Sequence, residues 1–177
     1  GFKIGDKEWK NTLKMTMLGR TRLQRFISEA KKVDCKYLIL EVTSEGLAQM
    51  RHVGIHFDCA VFTNLHQEHI ESHGSFENYR RAKETLFRKT KNIHVLNIED
   101  PHVKEFKKYP SQRKIFFGWQ KGEINQEDLK LKLKLAGQFN IMNALAAISV
   151  AKVYGLDDEK AKNLVSKLES ITGRMEF

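Results

Sequence analysis

Residues 59–97, CAVFTNLHQEHIESHGSFENYRRAKETLFRKTKNIHVLN, decide the fold. Residues 59–63 and 93–97 are short apolar runs of strand length. Between them, 76–87 places Tyr79, Lys83 and Leu86 at helical spacing. Strand, helix and strand in this order is the pattern of parallel strands joined by crossover helices. Working outward, 37–42 and 114–117 are further candidate strands, and 20–32 sets Leu23, Phe26, Ile27 and Ala30 at helical spacing. The expected class is α/β, a mostly parallel sheet with flanking helices.

Towards the C-terminus the pattern changes. Leu and Lys alternate strictly over 129–135, the period of a half-exposed strand, which predicts a small antiparallel ribbon near 113–135. Residues 140–154 then read as an Ala-rich helix closed by Gly155, and Asp157 or Asp158 caps a last helix reaching about 168. At the other end, 1–19 carries Gly1, Gly5 and Gly19 and reads as a hairpin or loop with a turn into the first helix. With 177 residues, 41% of them hydrophobic, and two prolines, the chain is expected to build one core, a single domain over 1–177.

The 31 basic and 22 acidic side chains leave a net charge of +9, dispersed along the chain. Such an excess is either a solvated surface or an attraction for a polyanion, and charge alone does not choose. Aromatic interleaving and helix-turn-helix or RNA-motif signatures are missing, so nucleic acid is not the expected partner. Cys35 and Cys59 lack metal or disulfide spacing and read as buried free thiols of a reducing compartment. No apolar stretch approaches the roughly 18 residues of a membrane span. A cytoplasmic protein without a membrane partner is the expectation.

Ligands of open parallel sheets bind beyond the carboxyl ends of the strands, so polar residues after each apolar run are the candidates. Glu41 ends one run and is followed by Thr43, Ser44, Gln49 and Arg51. It reads either as a carboxylate held for a metal or as a solvated strand end with Thr43 or Ser44 capping a helix. Thr63 and Asn64 end the next run, with Glu68, His69 and His73 behind them. These suit a divalent ion that also meets phosphates, or are plain surface, and their spacing matches no zinc signature. Lys83 lies on or beside the buried stripe of its helix, where it either snorkels to solvent or, desolvated and neutral, reacts with carbon dioxide to form a carbamate.

Taken together, Glu41-Val42-Thr43-Ser44, Phe62-Thr63-Asn64-Leu65, Glu68-His69, His73-Gly74, Ala82-Lys83 and Leu86-Phe87 resemble the ordered motifs EVSSH, FTNL, DH, HG and AAK-xx-LF of the Mur ligase central domain. Residues 137–147, GQFNIMNALAA, are similar to that family's G-x-F-N-x-x-N-A-L-A-A helix start, and Gly173-Arg174-Met175-Glu176 resembles the boundary with its third domain. The tripeptide synthetase branch is the most similar. The resemblance implies a P-loop-nucleotidase-like domain that uses ATP and Mg2+. Glu41, His69 and a carbamylated Lys83 would act as metal ligands and catalytic groups. Asn140 and Asn143 would contact adenine, Arg174 the nucleotide, and Thr16, Thr43, Gln49 and Arg51 the UDP-muramoyl substrate. The implied reaction phosphorylates a carboxylate of UDP-MurNAc-dipeptide and lets an amino acid attack the acyl phosphate.

Several positions depart from the pattern. Thr43 stands for the usual Ser, Glu45 for His, Glu68 for Asp, and Met17 for the second of two threonines. A G-x-x-G-K-[ST] loop is absent from the 177 residues, although the family's phosphate binding needs one. The expectation is a longer protein cut ahead of Gly1 and before its third domain, inactive as a fragment. The alternative is a non-catalytic binding or interaction module that has shed the loop.

Overall fold

The computed structural model describes residues 1–11, 15–66 and 70–169. Its strands are β1 (Phe2–Ile4), β2 (Lys7–Trp9), β3 (Cys59–Phe62), β4 (Ile93–Asn97), β5 (Arg113–Gly118) and β6 (Ile124–Asn125). Its helices are α1 (Arg20–Lys32), α2 (Ser44–Ala48), α3 (Ile70–His73), α4 (Phe76–Lys89), α5 (Val103–Lys107), α6 (Gln126–Leu129), α7 (Gln138–Val153) and α8 (Asp158–Ser166). They group into two compact units, one of Gly1–His56 with Gln67–Leu86 and one of Phe57–His66 with Phe87–Phe177.

The second unit carries a four-stranded sheet in the order β3-β4-β5-β6, parallel throughout. Parallel strands are buried on both faces, hence their near-continuous apolar runs. Val95, Ile115, Phe117 and Ile124 of the sheet pack with Ala144, Leu145 and Ile148 of α7 and Ala161 of α8. A further group holds Phe62 stacked on Phe106 at 4.0 Å, with Phe87 edge-on to Phe106 at 5.1 Å. Asp157 caps α8, its carboxylate accepting the Lys160 N–H at 3.1 Å.

Beyond the strand ends, side chains hold the loops. Asn97 Nδ2 donates to the Thr63 carbonyl at 2.8 Å, and the Leu65 N–H donates to Asp100 at 3.0 Å. The Glu99 carboxylate accepts the backbone N–H groups of Trp119, Gln120 and Lys121 at 2.8, 2.6 and 3.0 Å. Burial works against its ionisation, but these three donors and the Lys121 charge outweigh it and keep the carboxyl below its ordinary pKa. Gly118 is required beside it, because a Cβ there would stand 2.5 Å from the Lys121 carbonyl and 3.0 Å from the Glu99 carboxyl carbon.

In the first unit β1 and β2 pair antiparallel about Gly5. Met17, Leu18 and Leu23 form a small core against Phe2, Phe26, Ile27, Leu40 and Val42.

Three expectations need correction. The antiparallel pair lies at residues 2–9 and not near 113–135, where β5 and β6 join the parallel sheet. Residues 130–135 form no strand: Leu131 is buried and Lys132 exposed as the alternation required, but the Gln126 side-chain amide binds both the N–H and the carbonyl of Leu131 at 3.1 Å. The backbone groups a ladder would use are thereby taken. Residues 37–42 also lack a ladder. Leu40 and Val42 face the small core while Ile39 is 94% exposed, so the burial alternates as in a strand, but propensity alone supplies no partner edge. Finally, the thiols differ: Cys35 is exposed just past α1, and Cys59 is half-buried with its pKa raised by burial to about 11.

Candidate functional site

Four predicted substrate positions belong to the first unit. Thr43 caps α2, its Oγ1 accepting the Gly46 N–H at 3.1 Å, so the helix-cap reading holds for its hydroxyl. Past the end of that short helix, Gln49 Oε1 accepts from Arg51 Nε at 3.0 Å and Nη2 at 2.5 Å. Arg51 Nη1 donates to the Met17 carbonyl at 2.6 Å. Its guanidinium is thus fixed to Gln49 and to Met15 and Met17, the chain neighbours of the exposed Thr16. Met17, fully buried, explains Gly46: a Cβ there would stand 2.3 Å from the Met17 sulfur. The bulky Met17 thioether thus lies against a helix position that has no side chain to oppose it.

Of the predicted metal ligands, Glu41 is exposed at the end of 37–42. Lys83 is half-buried on α4 with its ammonium 5.2 Å from the Tyr79 ring centre, a cation–π placement. His69 lies outside the described residues, as does Arg174. Among the described residues no three His, Cys, Asp or Glu side chains converge on a metal position. A magnesium site here therefore depends on His69 and on a carboxylate made from Lys83. Glutamate, carbamate and imidazole are acceptable donors for such a cation, and with that modification the residues fit it.

In the second unit Asn140 and Asn143 lie in the first two turns of α7. Asn140 is buried, its Nδ2 donating to the Ala136 carbonyl at 2.7 Å, while Asn143 is exposed. Asn97 and Asp100 were not singled out from the sequence, yet they anchor Thr63–Leu65. The rule that picked Glu41 and Thr63, a polar residue directly after an apolar run, applied to Asn97 as well, whereas Asp100 follows Glu99 and falls outside it. His73 was named only as one of a group. The structure sets its Nε2 3.0 Å from the Ser44 hydroxyl. No helix among the described residues is long and apolar enough to cross a membrane.

Comparison with known proteins identifies the family. The model of the Mur ligase middle domain matches residues 1–151. A UDP-N-acetylmuramyl-tripeptide synthetase of Roseiflexus sp. is 30% identical over 99% of this chain and 41% of its own length. A UDP-N-acetylmuramoyl-L-alanyl-D-glutamate–2,6-diaminopimelate ligase of Clostridium acetobutylicum is 31% identical over 98% of this chain and 39% of its own. A solved structure of a ligase of the latter name superposes with a TM-score of 0.78 at 26% identity, covering 90% of this chain and 38% of that one. The chain thus spans about two-fifths of the length of the relatives it matches. It belongs to the Mur ligase family, as a member of that family's middle domain.

Proposed function

We propose that this chain is the central, ATP-binding domain of an amide ligase that adds an amino acid to UDP-MurNAc-dipeptide in peptidoglycan precursor synthesis, a cytoplasmic step. The observation that carries the proposal is the Arg51 fork held by Gln49 and the Met17 carbonyl, next along the chain to Thr16, in a chain matched end to end by tripeptide-type ligases. A guanidinium fixed in this way, with Nη1 also toward the Met15 sulfur at 3.6 Å, presents its remaining Nη2 N–H to an anionic substrate without first having to be ordered. Asn140 and Asn143 are assigned to adenine, and Arg174 to the nucleotide.

Glu41, His69 and Lys83 are assigned to magnesium. Lys83 would first lose its proton; the neutral amine then adds to carbon dioxide, forming one C–N bond and releasing one proton, which leaves a carbamate anion. Bound magnesium supplies charge neutralisation for the transferring phosphoryl group. The residues' own share is placement: Arg51 and Gln49 hold the acceptor, and the half-buried stem of Lys83 sets where its new carboxylate stands. ATP phosphorylates the dipeptide carboxylate, and amine attack on the acyl phosphate releases phosphate and forms the amide.

The test is ADP release by the full-length gene product, with UDP-MurNAc-dipeptide and candidate amino acids as substrates. Lys83→Ala should lower kcat about 100-fold or more, and Arg51→Ala should raise KM for the dipeptide about tenfold or more. No ADP release with any amino acid would favour a non-catalytic module, and ADP release that ignores the dipeptide would overturn the assigned acceptor.

A further inference from the structure

Within the first unit, three side chains with no role in the chemistry above are in contact. Ser44, 4% exposed, has its hydroxyl 3.0 Å from His73 Nε2. The His73 ring lies tilted against Tyr79 with centroids 5.6 Å apart, and Tyr79 is 3% exposed. His73 is tethered as well: Asn78 Nδ2 donates to its carbonyl at 3.0 Å, and the Asn78 N–H donates to Ser75 Oγ at 3.1 Å, capping α4. The three come from separate segments, Ser44 opening α2, His73 closing α3 and Tyr79 in the first turn of α4.

Each stands a short, fixed step from a residue assigned to the metal. Glu41 is three positions before Ser44, His69 four before His73, and Lys83 four after Tyr79. Residues four apart on a helix share a face, and the Lys83 ammonium accordingly lies 5.2 Å from the Tyr79 ring centre. A buried hydroxyl requires a partner. Losing the imidazole would therefore leave Ser44 unsatisfied and part the Glu41 segment from the other two. Groups behind the ligands commonly decide metal affinity because they fix where the ligands point.

We infer that Ser44, His73 and Tyr79 form a non-ligating spine, with His73 as its positioning residue, that holds the segments bearing Glu41 and Lys83 in register. The inference rests on the metal assignment proposed above. The experiment uses the full-length gene product and reads amide exchange together with Mn2+ affinity. His73→Ala should speed exchange tenfold or more at both 41–44 and 79–83, and weaken Mn2+ binding about 10- to 100-fold. His73→Gln, whose amide nitrogen reaches close to the place of Nε2, should restore both. Unchanged exchange at either segment in His73→Ala, or no recovery in His73→Gln, overturns the spine. If the unmutated chain shows neither Mn2+ binding nor a Lys83 carbamate signal in [13C]bicarbonate, the metal assignment falls. The exchange pattern and its rescue by Gln then decide the spine alone.

Discussion

His94 lies within β4 with no exposed surface, its Nε2–H donating to the Thr90 carbonyl at 2.9 Å and its ring edge-on to Phe87 at 5.2 Å. Burial depresses its pKa more than the Thr90 hydrogen bond raises it, and the positive charges of Lys114 and Lys91 depress it further. In the unfolded chain the imidazole returns to about 6.5. As pH falls, the unfolded state takes up the proton first, so the stability due to the neutral ring is complete above about 6.5 and is lost as pH falls through that value toward the depressed folded pKa. Urea midpoints at pH 7.5 and 5.5 should differ more for the natural chain than for His94→Leu, and equal differences would refute the argument. Apolar runs say which residues will be buried, but not that one polar residue inside such a run will be kept neutral. That depends on its burial against Phe87 and on the charges of Lys114 and Lys91.

Among the elements, α7 is legible by composition and not by a stripe. Apolar residues surround it, and Ala144, Leu145 and Ile148 are among those buried against the sheet. Leu145→Ala, at a site with no exposure, should cost about 2–5 kcal/mol in equilibrium unfolding, since a cavity would replace its contacts. A cost under about 1 kcal/mol would mean the helix is not the main cover of the sheet. α1 spans Arg20–Lys32 and β4 spans Ile93–Asn97, where their periodicities predicted them, because in both the local pattern and the tertiary partner agree. Residues 129–135, which alternate, and 37–42, an apolar run, both read as strands and form no ladder. In the first, a Gln126 amide five residues away captured the backbone; in the second, burial of Leu40 and Val42 against Met17 satisfied the apolar face without an edge. The candidate site was legible as a list of residues. Its connections, Arg51 to Met17 across 34 positions and His73 to Ser44 across 29, were not, since no local period encodes them.

For the whole molecule, the two compact units differ in what holds them. The second has a four-stranded parallel sheet and a core of ten buried residues, while the core cluster of the first centres on Met17, Leu18 and Leu23. Opening free energies follow buried apolar contact. Native-state exchange should therefore protect amides of β4 and β5 at least tenfold more than those of α1, a difference of about 1.4 kcal/mol. Equal protection would show that the chain opens only as one body.

Glu99 has a consequence for that sheet. Three amide protons converging at the end of β5 make the sort of backbone cup that elsewhere receives a phosphate. Here the chain supplies its own anion to the cup. An incoming nucleotide would have to evict a carboxylate to use it, so this end of β5 is insulated against binding a phosphate.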